Sequence, residues 1–294
     1  MKQAFENRRF SAKSEKTIMT VNSILNEYQE KGYTLTLRQL YYQMVARDYI
    51  ENSDKSYTRL GALVSDARLA GLVDWEMIED RGRETRTLSH WSDPAEIVKT
   101  AAQQFRTDKW EDQPCHVEVM VEKQALEGIL LPVCRNLDIP FTANKGYSSQ
   151  SAFYEAGKRL AQQANSGKQV WVLYLGDHDP SGIDMTRDVE ERLRQFSGVP
   201  IRVKRLALNM DQVIALHPPE NPAKVTDTRF KDYALQYGES SWELDAVEPG
   251  ALANLVITAV EERRDPDLWS AALQVEEAMR GELQRFADSY RPAA

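Results

Sequence analysis

Apolar positions in the first third of the chain recur at helical spacing. A first helix is predicted over residues 14–31, whose apolar positions are Ile18, Val21, Ile24, Leu25 and Tyr28. A second begins after Thr36, because Thr36 and Gln39 form a capping-box pattern. A third covers residues 55–70, and residues 72–88 are predicted to form a short strand and a glycine-centred hairpin. Three helices followed by a β wing is the order of a winged-helix DNA-binding domain.

From about residue 114 the pattern changes to alternating strands and helices. Short apolar runs predict four strands, in CHVEVMV, IPFTANKG, QVWVLYLG and IRVKRLAL, with helical patterns between them. This alternation is typical of a mostly parallel sheet covered by helices. The predicted fold class is therefore α/β, a mainly helical winged-helix part followed by a Rossmann-like parallel sheet. Residues 217–241 are expected to be irregular, and helices are expected over residues 252–260 and 266–290.

Composition places the chain among soluble globular proteins, with 42% hydrophobic and 28% charged residues. No apolar run approaches the ~20 residues that cross a membrane. The start, MKQAFENRRF, has no apolar segment after its charges, so no secretory signal is predicted. Cys115 and Cys134 lack CxxC spacing, which favours reduced thiols. These observations predict a cytoplasmic protein.

The charge is unevenly distributed. The net charge is -8, and residues 1–110 hold 17 Lys and Arg against 16 Asp and Glu, so the negative charge lies in the rest of the chain. Binding of phosphate depends on local basic patches and not on the total. The distribution permits a DNA-binding front half, and the acidic second half suits a site that gathers cations.

Carboxylates follow two of the predicted strands. Glu122 ends the first strand, and Asp177 and Asp179 end the third. Because sites in parallel α/β sheets form beyond the carboxyl ends of the strands, we expect the three to converge on Mg²⁺, which prefers oxygen ligands. The alternative is a polar turn in which Asp179 or Ser181 caps the next helix. Glu243 and Asp245 either extend this site or form the polar face of a strand.

Two adjacent tyrosines lie in the second predicted helix. Tyr41 shares the apolar stripe, whereas Tyr42 points about 100° further round, on the side of Arg38 four residues earlier. One interpretation is a half-exposed surface aromatic residue beside a cation. The other is a phenolic nucleophile for phosphoryl transfer. A free phenol has a pKa near ~10, so Tyr42 would need Arg38 or a metal to become reactive.

Five motifs occur in the order RQLYYQ, VEKQAL, FTANKGY, GDHDPSG and WELDAVEP. Together they resemble the A subunit of DNA topoisomerase VI and its relative, the meiotic protein that makes double-strand breaks. The resemblance covers most of the chain and implies a short, divergent member, in which Ser148 and Ser149 replace the usual proline-acid pair. It implies a winged-helix domain over residues 1–110, a Toprim domain over 114–261 and a C-terminal helical segment over 262–294.

The resemblance also implies site residues. Tyr42 corresponds to the tyrosine that attacks DNA, with Arg38 beside it. Glu122, Asp177 and Asp179 correspond to ligands of Mg²⁺, and WELDAVEP is similar to a later acidic motif. The basic side chains expected to contact DNA phosphates lie on the third helix and in the wing: Arg59, Arg68, Arg81, Arg83 and Arg86.

The implied activity is that of a type IIB topoisomerase, which cleaves and rejoins double-stranded DNA by tyrosine transesterification. In this family the tyrosine of one subunit works with the metal of another, so a homodimer is expected. Any ATPase would be a separate subunit, because the chain has no GxxxxGK[ST] loop. A prokaryotic or mobile-element origin is expected. Two alternatives remain open: a hydrolytic nuclease that uses the same metal site, and a non-catalytic DNA-binding module.

Overall fold

The computed structural model describes residues 2–79, 88–143 and 150–290. The three predicted front helices are present: α1 (Ala12–Glu30), α2 (Leu37–Ala46) and α3 (Asp54–Leu69). The predicted capping box opens α2, because the Gln39 amide donates to Thr36 Oγ1 at 3.3 Å and the Thr36 amide donates to Gln39 Oε1 at 2.8 Å. The apolar faces of the three helices form one core, the front core.

The centre of the predicted wing, residues 80–87, lies outside the described residues, and with it Arg81, Arg83 and Arg86. Before it, Leu35 pairs with Ile78 in a single parallel β bridge. The helical front half is confirmed, while the wing stays a prediction. A further helix, α4 (Pro94–Gln104), follows the wing region.

The second half contains a four-stranded parallel sheet, which confirms the predicted α/β class. Its strands are β1 (Cys115–Val121), β2 (Phe141–Ala143), β3 (Gln169–Leu175) and β4 (Arg202–Ala207). Their order is β2-β1-β3-β4. The chain therefore leaves β1 in one direction and β3 in the other. The carboxyl ends of β1 and β3 form the topological switch point, where ligand crevices occur in such sheets.

Helices cover both faces of the sheet: α5 (Glu127–Asn136), α6 (Gln150–Asn165), α7 (Pro180–Ser197) and α10 (Pro249–Glu261). Side chains of β3 alternate between the two faces. Leu173 and Leu175 pack with α5 and α10, whereas Val172 and Tyr174 pack with α6 and α7. Burial on both faces explains why β3 is almost continuously apolar, whereas the edge strand β4 carries Arg202, Lys204 and Arg205.

Residues 217–241, which were expected to be irregular, contain regular structure. The second half also contains α8 (Met210–Leu216), β5 (Glu220–Pro222), α9 (Phe230–Tyr237), β6 (Ser240–Trp242) and α11 (Pro266–Ser289). β5 and β6 pair antiparallel, and each has three residues, too few to show an alternating pattern. Helix α4 packs on α11. Within the described residues, no helix combines the length and apolar character needed to cross a membrane.

The front helices contact the sheet domain through both apolar and polar groups. Ala246, in a short 3₁₀ turn (Leu244–Ala246), contributes its side chain to the front core. Between α2 and α3, Asn52 Nδ2 donates to the Glu220 carbonyl at 2.7 Å and to Asn221 Oδ1 at 2.9 Å. Apolar packing and paired polar groups thus set the position of α2 relative to the sheet.

Replacing Gly157 with alanine tests the packing of α6 on α7. The added methyl group would lie 2.7 Å from Phe196 Cβ and 2.9 Å from the Phe196 carbonyl carbon. The backbone of Phe196 cannot rotate away from the new methyl group as a flexible side chain could. We therefore expect the free energy of unfolding to fall by about 1–3 kcal/mol.

Gly281→Ala is the matched control on α11, since its methyl group would meet only the Arg285 side chain, at 3.7 Å. There the better helix propensity of alanine should raise the free energy of unfolding by up to about 1 kcal/mol. Urea denaturation measures both variants. Equal effects at the two positions would contradict the close approach of α6 and α7.

Candidate metal centre and tyrosine cleft

The carboxyl ends of β1 and β3 bring Glu122 and Asp177 together, as predicted. Glu122 Oε2 accepts a hydrogen bond from the Asp177 amide at 3.0 Å. The Glu122 amide donates to the Leu175 carbonyl at 2.9 Å, which continues the strand pairing. Gly176 separates Leu175 from Asp177, and a Cβ there would lie 2.8 Å from Glu122 Oε2. A side chain at position 176 would therefore push the Glu122 carboxylate away from the Asp177 amide.

Asp179 caps a helix, as the polar-turn interpretation expects. Its Oδ1 accepts from the Gly182 amide at 2.6 Å and from Ser181 Oγ at 2.9 Å, so Asp179 is the N-cap of α7. Glu122, Asp177 and Asp179 do not form one compact set of ligands among the described residues. The three predicted ligands lie at the same edge of the sheet, but Asp179 is turned toward its own helix.

A different set of carboxylates converges around Asp177. Among the described residues, Asp177, Glu243 and Asp245 have ligand oxygens that all lie within 4.8 Å of one another. We call these three residues the acidic triad. Asp177 Oδ1 accepts from the Leu244 amide at 2.7 Å, which ties the two segments together. This buried triad could hold a metal ion.

Glu243 and Asp245 were left open between a metal site and a polar strand face. In the structure Glu243 directly follows β6 and caps the 3₁₀ turn, and Asp245 lies inside that turn. The acidic alternation in WELD was the sequence signal for them. Their proximity to Asp177 follows from the β5–β6 pair and from the backbone pairing of His178 with Trp242, at 2.8 and 2.9 Å, neither of which the sequence pattern predicts.

Lys123, which sequence reasoning missed, places its ammonium group among the acidic triad. Its Nζ lies 2.9 Å from Asp177 Oδ2 and 3.1 Å from Asp245 Oδ1, and it also pairs with Glu243 Oε2. Burial alone would lower the pKa of Lys123, but the three carboxylates outweigh it and raise the pKa. The ammonium group of Lys123 therefore neutralises part of the negative charge of the acidic triad.

The cluster as a whole is poor in positive charge. Burial raises the pKa of Asp177 to about 7, and Glu122, Glu243 and Asp245 add to the rise while Lys123 opposes it. Burial also raises the pKa of Glu122. The guanidinium groups of Arg38, near Asp245, and Arg205, near Glu122, add to the positive charge of Lys123. Four carboxylates thus meet three cationic groups, and their negative charge is compensated only in part.

The donor atoms fit a hard cation. All ligand atoms of the acidic triad are carboxylate oxygens, the type preferred by Mg²⁺ and Ca²⁺. Asp245 is 2% exposed, and its Oδ2 makes no hydrogen bond to any described residue. The Arg38 Nε lies 3.8 Å from that oxygen. A divalent ion at the triad would complete the coordination of Asp245 and compete with Lys123 for the same oxygens.

A cavity of about 360 Å³ separates the front helices from this edge of the sheet, within the size range of ligand pockets. We call it the tyrosine cleft. On one side it is lined by Arg38 and Tyr42, and on the other by Asp179 and Glu243. Asn52, Lys224 and the β5–β6 pair form part of its remaining wall. The predicted nucleophile thus shares one cavity with Asp179 and with Glu243 of the acidic triad.

Tyr42 was expected to point away from the apolar stripe of α2, but it is buried. Its side chain is 3% exposed, belongs to the front core and meets Tyr41 edge to face, with ring centroids 5.2 Å apart. The prediction assumed that α2 buries only one face. In the structure α2 packs on α1 and α3 on one side and on the 3₁₀ turn on the other, so the side that carries Tyr42 is buried as well.

The environment of Tyr42 disfavours the phenolate. Burial raises the pKa of Tyr42 to about 12, and the carboxylates of Glu243 and Asp245 add to the rise. The positive charge of Arg38, four residues earlier on α2, opposes the rise. Tyr42 is therefore a neutral phenol at neutral pH in this state of the site.

The two predicted phosphate contacts on α3 differ. Arg59 is exposed. Arg68 is turned inward: its Nη2 donates to the Ile78 carbonyl at 2.9 Å and to the Trp75 carbonyl, and its guanidinium lies 4.8 Å from the Trp75 ring centroid. These contacts favour a structural role for Arg68 in holding residues 75–78, and the role of Arg59 stays a prediction.

Comparison of the chain with protein-family models gives no match, and comparison with curated proteins gives none either. Membership of the topoisomerase VI A family therefore stays a prediction from the motifs.

Replacing Lys123 with methionine tests whether the lysine competes with a metal ion. Two unit charges 4 Å apart interact by about 4 kcal/mol at an effective dielectric constant of ~20. Removing the ammonium group should therefore tighten Mg²⁺ binding by at least about tenfold, measured by isothermal titration calorimetry. Lys158→Met, on the exposed surface of α6, should leave the affinity within about twofold. Weaker Mg²⁺ binding by Lys123→Met would mean that the lysine positions the carboxylates.

Proposed function

We propose that the chain cleaves DNA strands by Mg²⁺-dependent transesterification, with Tyr42 as the nucleophile. The observation that carries the proposal is the tyrosine cleft, in which Tyr42 and Arg38 face Asp179 and Glu243 beside the acidic triad. A phenol, a guanidinium group and a set of carboxylate ligands in one cavity are the groups that phosphoryl transfer through an enzyme-bound tyrosine requires.

DNA as the substrate is supported by separate features of the front half. Three helices in winged-helix order precede the sheet, and α3 presents Arg59 to solvent. The motif resemblance to the topoisomerase VI A subunit implies the same substrate. Arg38 and Lys224 supply positive charge in the wall of the tyrosine cleft, where a DNA phosphate would lie.

The reaction exchanges one phosphoester for another. A bond forms between Tyr42 Oη and the phosphorus atom, the bond from phosphorus to the 3′ oxygen breaks, and the phenolic proton is transferred overall to that oxygen. The products are a tyrosyl phosphodiester on the 5′ end and a free 3′ hydroxyl. Because the phosphodiester is conserved in the protein link, rejoining needs no further energy source.

Two of the chain's own groups assist this step. Arg38 lines the same cleft as Tyr42 and would neutralise charge on the phosphate as the new bond forms. The acidic triad, with Glu122 beside Asp177, would hold Mg²⁺, which would supply positive charge to stabilise negative charge on the phosphate and on the leaving oxygen. The same positive charge offsets the carboxylates that raise the pKa of Tyr42.

Tyr42→Phe removes the nucleophile while retaining the ring that packs in the front core. We expect covalent protein–DNA adducts on a denaturing gel to fall by at least about 100-fold. Tyr49→Phe is the control, because this exposed tyrosine follows α2 without lining the cleft. Adduct formation by Tyr42→Phe at the wild-type level would exclude Tyr42 as the nucleophile.

The burial of Tyr42 favours a second candidate, hydrolysis by a water molecule at the same metal site. A side chain that is 3% exposed, with a pKa near 12, is a poor nucleophile unless the cleft opens or the metal ion changes the local charge. Under this candidate, Tyr42→Phe still cleaves DNA and no adduct forms with either protein.

Asp177→Asn tests the metal chemistry that both candidates share. Loss of a carboxylate from the acidic triad should reduce Mg²⁺-dependent cleavage by at least about 100-fold, whereas DNA binding, measured by fluorescence anisotropy, should change by no more than about threefold. A wild-type chain that binds DNA without cleaving it, and equally well with and without Mg²⁺, would instead identify a non-catalytic DNA-binding module.

A further inference from the structure

We propose that a cavity at the end of α5 binds the phosphate group of a small molecule, at a site separate from the tyrosine cleft. Its volume is about 740 Å³, within the size range of ligand pockets. We call it the basic cavity, and its lining residues come from three segments, residues 106–109, residues 135–140 and helix α11. The charged residues of the lining are Arg106, Lys109, Arg135, Asp138, Glu276 and Arg280.

Helix α5 separates the basic cavity from the candidate metal centre. Lys123, among the acidic triad, lies four residues before the first residue of α5, whereas Arg135 and Asn136 of its last turn line the basic cavity. A helix of ten residues is about 15 Å long. The basic cavity and the tyrosine cleft have no lining residue in common. The two cavities are therefore distinct sites.

The two carboxylates in the lining already have cationic partners. The buried Lys109 places its Nζ 3.1 Å from Asp138 Oδ2 and 2.8 Å from Glu276 Oε2. Arg280 pairs with the other oxygen of Glu276, and its Nη2 also donates to the Phe105 carbonyl at 3.2 Å. These ion pairs hold the residues before β1 and β2 against α11, and they use the negative charge of both carboxylates.

Arg106 and Arg135 supply positive charge that no carboxylate of the described residues offsets by an ion pair. Arg106 Nη1 donates to the backbone carbonyls of Gln103 at 3.1 Å and Phe105 at 2.8 Å. Arg135 is exposed in the last turn of α5. The lining as a whole has four cationic groups against two carboxylates. The carboxyl end of α5 contributes a partial negative charge of about half a unit, so a positive excess of about 1.5 units remains.

A phosphate dianion is the ligand that this lining favours. Guanidinium groups form paired, charge-assisted hydrogen bonds with phosphate oxygens, and two of them match the two negative charges of a phosphate monoester. The chain as a whole carries a net charge of -8, so an anion would bind through the local positive excess and not through the overall field. Ile139 and Pro140 add apolar surface to the wall, against which an organic group attached to the phosphate would pack.

A phosphate bound here would connect the C-terminal helix to the sheet domain. Arg106 lies two residues after α4, Arg135 lies in α5, and Arg280 lies in α11, which packs on α4. Helix α5 in turn packs against the apolar side chains of the sheet. A ligand that binds only the folded chain stabilises it by mass action. The basic cavity thus suits a small phosphorylated molecule that controls how firmly α4 and α11 are held on the sheet domain.

Isothermal titration calorimetry with two probes tests the proposal: inorganic phosphate and adenosine monophosphate, each titrated without Mg²⁺ so that the acidic triad takes no part. The test variant combines Arg106→Gln with Arg135→Gln, which removes both unpaired charges and keeps two exposed polar side chains. Arg194→Gln is the matched control, because this exposed arginine of α7 does not line the basic cavity. If the double variant does not fold, as judged by circular dichroism, the two single variants replace it.

We expect one phosphate to bind each wild-type chain, with an affinity that falls by at least about tenfold in the double variant and stays within about twofold in the control. Tighter binding of adenosine monophosphate than of inorganic phosphate would identify an organic phosphate as the ligand, and weaker binding would identify the free ion. Either result supports a phosphate site.

Absence of binding by both probes would overturn the proposal, and so would equal affinities of the wild-type chain and the double variant. The same variants are tested for DNA binding without Mg²⁺ by fluorescence anisotropy. A loss of DNA affinity of about tenfold with unchanged phosphate binding would assign both arginines to a DNA-binding surface and would also overturn the proposal. None of these results depends on Tyr42 or on the acidic triad, so the proposed function is tested separately.

Discussion

The ammonium group of Lys123 among the carboxylates of Asp177, Glu243 and Asp245 is the interaction on which the candidate site depends. These carboxylates come from two segments that are far apart in the sequence, and without a cation their repulsion and desolvation would oppose their convergence. The backbone contributes as well, because the Leu244 amide binds Asp177 Oδ1. A partly compensated cluster of this kind keeps its shape and still attracts a divalent ion.

The same cluster joins the two halves of the molecule. Asp245 faces Lys123 with one oxygen and Arg38 with the other, so the charge state of the triad acts directly on α2. Apolar packing of Ala246 in the front core supports this electrostatic contact. The tyrosine cleft is thus the gap left where a helical unit and a parallel sheet meet, and its chemistry comes from both. Such junctions are common locations for ligand sites.

Local sequence patterns predicted the helices and strands but not all of the contacts that their side chains make. The capping box of Thr36 and Gln39 and the four apolar strands depend on neighbouring residues, so the sequence was sufficient for them. Arg68 looks like any surface arginine on a helix, yet its guanidinium binds carbonyls of the following loop. Tyr42 lies on the polar side of a helical projection, yet a segment about 200 residues later buries it. The contacts of Arg68 lie 7 and 10 residues further along the chain, in a loop without a regular pattern, whereas the burial of Tyr42 depends on a distant segment.

The sequence by itself determined the α/β class, the three front helices and the arrival of Glu122 and Asp177 at one sheet edge, because strand ends in a parallel sheet share an edge. Only the tertiary structure decided that Asp179 caps α7, that Glu243 and Asp245 complete the triad, and that Lys123 lies among them. The physical reason is that carboxylate convergence depends on how distant segments pack, and the short β5–β6 pair that brings residues 243–245 to Asp177 has too few residues to leave a pattern in the sequence.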